Sequence, residues 1–162
     1  MTASAAATFN KDQAIRIEQQ ITLRYRFAAG RHASRFFTAL RDEGRILATR
    51  DAAGNVMVPP RPVCGLSSLP MEEWVEVGPS GTLAGATVVY VPFIDPMTGV
   101  KRPVPYGFGL IRFDGADTNI YHLLDETDPA RIGVGKRVEA VFKPREERVG
   151  SFADIRHFRL LD

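Results

Sequence analysis

Beyond Ser67 the chain is built of short β-branched and aromatic runs, each closed by a turn pair, and this rhythm restricts the fold more than any other feature. The runs are Trp74–Val77, Thr82–Val91, Tyr106–Phe113, Ile120–Leu124, Arg137–Phe142 and Ile155–Leu160. Gly-Pro, Asp-Pro, Thr-Gly and Asp-Gly pairs fall between them, and such pairs stop a strand because proline lacks a donor and glycine takes positive φ. Five or six strands of this length, with a single helical turn at Asp128–Ile132 between the later ones, predict a small Greek-key barrel of the OB type over residues 78–162.

Residues 1–45 read differently. Asn10 with Gln13 has the form of a capping box and Phe9 can staple onto Ala14, so 11–19 is a helical candidate. From Ile21 apolar residues alternate with polar ones, the period of an extended segment. Gly30 ends it. Ala33, Phe36, Phe37 and Leu40 then share one helical face, with Gly44 as the stop. Two roles fit that face: packing on the chain's own barrel, or docking onto another protein.

Between these parts lies RDAAGNVMVPPRPVCGLS, residues 50–67. It has the layout of two metal-binding knuckles with the ligands missing. A structural zinc site takes two pairs of thiolates at C-x-x-C spacing. Here the first pair is Arg50 and Ala53, and the second keeps Cys64 but ends at Ser67. Residues 46–77 are therefore read as a degenerate ribbon lobe from which zinc is expected to be absent. Val56, Val58, Val63 and Leu66 are the apolar residues available to pack it in place of a metal. Pro59, Pro60 and Pro62 stiffen the connection between the knuckles.

This layout, followed by GTLAGATVVYVP and PYGFGLIRFD, resembles the thiolase-associated proteins that join a rubredoxin-like zinc ribbon to an OB-fold, known as domain of unknown function 35. The resemblance runs from about Tyr25 to Leu160. It implies a mainly β chain made of an N-terminal segment, a ribbon and a barrel. It also implies a non-catalytic subunit of a thiolase-like or ketosynthase-like acyltransferase complex, with an acyl-CoA as ligand and no tightly bound cofactor. On that basis Phe36, Phe37 and Arg61 are expected to dock the partner, and Lys101 and Arg102 to meet coenzyme A phosphates from the long, proline-bounded loop 92–105.

Composition limits the alternatives. The 162 residues carry 21 Lys/Arg against 19 Asp/Glu, a net charge of +2. Nine of the basic residues, against five acidic ones, fall in residues 1–60. A stand-alone OB-fold binding nucleic acid, with Tyr90, Phe93, Tyr106, Phe108 and Tyr121 as stacking faces, is the other reading, but so small a surplus gives little counterion release. No apolar run approaches the ~20 residues that span a bilayer, and the first residues lack the pattern of a secretory signal, so a cytoplasmic location is expected. The single cysteine excludes an internal disulfide. His32, His122 and His157 stand in no catalytic or metal-binding motif. Cys64 is read as filling a small apolar slot rather than acting as a nucleophile, and no residue is assigned to catalysis.

Overall fold

The computed structural model describes residues 27–94 and 99–161. The helical and extended expectations for 11–26 lie outside them. Helix α1, Gly30–Asp42, buries Phe36, Ala39 and Leu40 along one side, the face that the 3.6-residue period marks out. It stops where expected. Gly44 has φ 67°, a conformation that glycine adopts without strain, and the Glu43 and Arg45 amides both donate to the Ala39 carbonyl.

Three strands follow: β1 (Ile46–Asp51), β2 (Val56–Met57) and β3 (Met71–Val77), in the order β2-β1-β3 and antiparallel throughout. The central strand is buried on both faces at Ile46, Leu47, Ala48 and Thr49. Buried Thr49 needs partners for its hydroxyl. It finds them on the proline segment, donating to the Arg61 carbonyl at 3.2 Å and accepting from the Arg61 amide at 3.1 Å.

Past Gly78–Pro79 the chain enters a closed barrel of β4 (Ser80–Val89), β5 (Tyr106–Phe113), β6 (Asn119–Leu124), β7 (Arg137–Phe142) and β8 (Ile155–Leu161), ordered β4-β5-β6-β8-β7. The run Trp74–Val77 thus belongs to the small sheet, leaving five strands for the barrel. Along β5 the inward positions are Gly107, Gly109, Ile111 and Phe113, and the period of two that marked the strand also sorts its faces. Asp128–Ile132 forms a turn, in which the Arg131 and Ile132 amides donate to the Asp128 carbonyl.

Lobe and barrel share one core. Phe36 and Leu40 of α1, Ile46 and Ala48 of β1, Val56 and Val58, and Leu83, Ile111, Phe113 and Phe158 of the barrel form a single buried cluster. Polar bonds fix the join. The β5–β6 turn offers Thr118 Oγ1, which accepts from the Val58 amide at 2.8 Å and donates to its carbonyl at 2.7 Å. Asp117 does likewise for Val56, accepting at its carboxylate and donating from its amide.

Candidate functional site: an aromatic and cationic cleft on the barrel

The four knuckle positions have been given other partners. Arg50 pairs with Glu73 across the sheet at 2.9 Å, and Ala53 is exposed in the turn closed by Gly54. Cys64 is buried with Met57 and Met71 in a small cluster of its own. Ser67 donates to Asp51 Oδ2 at 2.5 Å. The same carboxylate accepts from the Ala53 and Asn55 amides and from Asn55 Nδ2. These donors, Ser67 foremost, with Asn55 and the Cys64 thiol adding to it, hold the Asp51 carboxyl well below the usual carboxylate range although burial pushes the other way. One thiol, one carboxylate and one hydroxyl do not provide the closed shell of thiolates and imidazoles that a structural zinc needs. Among the described residues no group of three or more ligating side chains is suited to a metal ion. Val63 and Leu66 do not pack this lobe: they are exposed, and Met57, Cys64 and Met71 occupy the interior. Val56 and Val58 are buried as expected.

Phe36 needs correction too. It is 1% exposed, with its ring against Phe37 at 5.3 Å and Phe152 at 5.4 Å, so it holds α1 to the barrel and offers no surface for docking. Amphipathic spacing marks a face without saying what covers it. Phe37 is half-buried against the Phe152 ring. Arg61 and Lys101 are exposed, and Arg102 turns into a cleft.

That cleft, about 610 Å³, lies where β6 and β8 separate. These strands are parallel and register only at Leu124–Phe158, so their upstream ends diverge. Phe93 and Arg102 approach from the β4–β5 loop, Tyr106, Phe108 and Tyr121 from the outer face of β5 and β6, and Lys143, Phe152 and Arg156 from the segment leading into β8. In barrels of this topology the second and third strands and the loops after the first and fourth form the usual ligand face, and these are the elements that line the cleft.

Cross-strand geometry builds its aromatic wall. Phe108 opposes Leu123 and Leu110 opposes Tyr121, which makes Phe108 and Tyr121 diagonal neighbours on one face, near enough for large rings to meet. Their rings are parallel to within 5° at 5.8 Å. Arg102 leans over Tyr106, its guanidinium 5.6 Å from the ring centre, an arrangement favoured by the ring's negative face. Among the described residues no carboxylate lines the cleft; Arg156 has Glu147 nearby at 3.6 Å.

His122 also borders the cleft. Its Nε2–H donates to the Phe152 carbonyl at 3.2 Å, and Nδ1 is buried with no hydrogen-bond partner. Burial pushes its pKa down, against the opposing pull of the Phe152 and Leu123 carbonyls. With the proton on Nε2 held by that carbonyl, Nδ1 of the neutral form is an acceptor.

Of the residues singled out in the sequence, Arg102 lines the cleft, as do Phe93, Tyr106, Phe108 and Tyr121, whereas Tyr90 does not. Sequence reasoning missed Lys143, Phe152 and Arg156, which precede or begin the last strand and become neighbours of β6 only when the barrel closes. Lys101 does not line the cleft. The three histidines are dispersed: His32 stacks on Trp74 at 5.4 Å, His122 borders the cleft, and His157 is half-buried on β8. No helix among the described residues is long and apolar enough to cross a membrane.

Comparison with known proteins follows this architecture. The family model for the C-terminal OB-fold domain of ChsH2 matches residues 74–143. No curated protein matches the chain. Among solved structures, an Ltp2-ChsH2 (DUF35) aldolase is similar at 20% identity with a TM-score of 0.58, over 83% of this chain and 97% of that one. A DUF35-family protein of unknown function from Sulfolobus solfataricus is similar at 20% identity and a TM-score of 0.53, over 78% of this chain and 81% of that one. Residues 74–143 thus resemble the C-terminal OB-fold domain of ChsH2, and the two solved structures share this chain's fold.

Proposed function

We propose that the protein is an accessory subunit of a thiolase-like enzyme, docking a catalytic partner and holding or channelling its acyl-CoA substrate. The observation that carries this reading is the cleft, in which three cations and an aromatic wall meet, with no carboxylate among the described residues that line it. An anionic ligand with a large unsaturated or apolar part suits such a lining. The similar aldolase supports it as well, because its name couples a DUF35 chain to a second component, Ltp2.

Chemistry belongs to the partner in this reading. His122 faces the interior, with Nδ1 buried and its Nε2 proton held by the Phe152 carbonyl. Cys64 is enclosed by Met57 and Met71, away from the cleft lining. Arg61, exposed beside the prolines of the small lobe, is the docking residue that this proposal retains.

Affinity purification of the tagged protein from its native cells tests the reading. A thiolase-type subunit should be retained in stoichiometric amount, and Arg61→Glu should reduce its recovery without changing the thermal unfolding of the chain. Recovery of the chain alone, or with an unrelated protein, would overturn it.

A further inference from the structure

We infer that the cleft receives the nucleoside-phosphate end of its ligand, with a flat base on the Phe108–Tyr121 wall and phosphates on Arg102, Lys143 and Arg156. This deepens the acyl-CoA reading and rests on it for the rest of the ligand. An acyl chain would need apolar walls and no cation. Free phosphate would need the cations and no aromatic rings. The cleft contains both sets, contributed by three separate parts of the barrel.

Tyr121 is 68% exposed and already parallel to Phe108, so the two rings form a flat, solvent-facing surface. Bases of any identity stack on such rings, because each has a π-face. The cations come from the β4–β5 loop, the end of β7 and the start of β8, and no acidic side chain is among the described residues of the lining. Phosphate oxygens would gather them by charge-assisted hydrogen bonds.

Isothermal titration of the full chain with adenosine 3′,5′-bisphosphate tests this directly, with adenosine probing the base-and-sugar half alone and pyrophosphate standing in for the phosphate half. Bisphosphate should bind more tightly than either half. Tyr121→Ala should weaken it about tenfold, the usual scale for one stacked base, whereas Tyr121→Phe should leave it near wild type. Lys143→Ala with Arg156→Ala should weaken bisphosphate and pyrophosphate and leave adenosine unchanged. Circular dichroism establishes that each variant is folded. Absence of bisphosphate binding to folded wild-type protein overturns the assignment, as does equal affinity for pyrophosphate or indifference to both sets of variants. Tighter binding of a ten-residue oligo-dT, falling steeply with salt, would overturn it in favour of a nucleic-acid groove. The two readings fail separately. Loss of nucleotide binding with the thiolase-type complex intact removes only this assignment, and nucleotide binding without any such complex removes only the subunit reading.

Discussion

The hydroxyl of Ser67 donates to the Asp51 carboxylate at 2.5 Å, joining the end of β1 to the loop around Cys64. Asp51 should therefore make the protein acid-sensitive. Its folded pKa is depressed, so its stabilisation is complete above the unfolded carboxylate value of about 4 and fades as pH falls through the lower folded value. Ser67→Ala removes the leading cause of the depression. Thermal unfolding followed from pH 7 into strong acid, well below pH 3, should show a lower midpoint for the variant at neutral pH, with the two proteins converging only once the folded-state carboxyl itself protonates. A constant gap at every pH would contradict the role given to Asp51.

Metal analysis is the second test of that region. Arg50 is engaged by Glu73, Ala53 has no ligating atom, and Ser67 is held by Asp51, so the purified protein should contain no stoichiometric zinc. Chelator treatment should leave its unfolding temperature unchanged. A reproducible single zinc per chain would show that other residues complete a site.

Phe36→Ala should cost about 3–5 kcal/mol, the usual range for removing a buried phenylalanine ring, because the side chain is 1% exposed within the shared core. Phe37→Ala should cost clearly less, since that ring is half-buried. Urea unfolding measures both. Equal and small effects would mean that α1 contributes little to the core.

The difference between these two neighbours shows where sequence reasoning ends. The barrel strands were legible because each side chain alternates between core and solvent, and turn residues mark both ends, so Tyr106–Phe113 and Arg137–Phe142 were found to the residue. These are local signals. The cover on α1 was not legible, because Phe36 meets Phe152 across more than a hundred residues. The cleft was legible only in its β4–β6 portion. Phe108 and Tyr121 are outward aromatics on predicted strands, whereas Lys143 and Arg156 reach the site through barrel closure, which no local pattern specifies. The Asp51–Ser67 bond was hidden for a related reason: the spacing indicated where thiolates should stand, and Asp51 lies between two of those positions, one residue past Arg50.

Gly107 controls how β5 enters the cleft. A Cβ there would sit 2.1 Å from the Glu126 carbonyl oxygen and 3.0 Å from the Leu124 side chain, and backbone cannot yield as a flexible side chain does. Gly107→Ala should destabilise the protein by about 1–3 kcal/mol through overpacking and displace Phe108, the next residue. Gly133→Ala, with nothing within 4 Å of the added carbon, is the matched control and should be close to neutral. Urea unfolding of the pair checks this, and equal stability would contradict the close approach at Gly107.

The central claim is that this chain assists a catalytic partner and performs no carbon–carbon chemistry itself. The direct measurement is acyl-CoA cleavage and condensation by three samples: the purified chain, the thiolase-type protein that co-purifies with it, and the two recombined. The account expects no turnover from the chain alone and full activity only from the recombined pair. Turnover by the isolated wild-type chain, or a partner whose activity is unchanged by its addition, would contradict it.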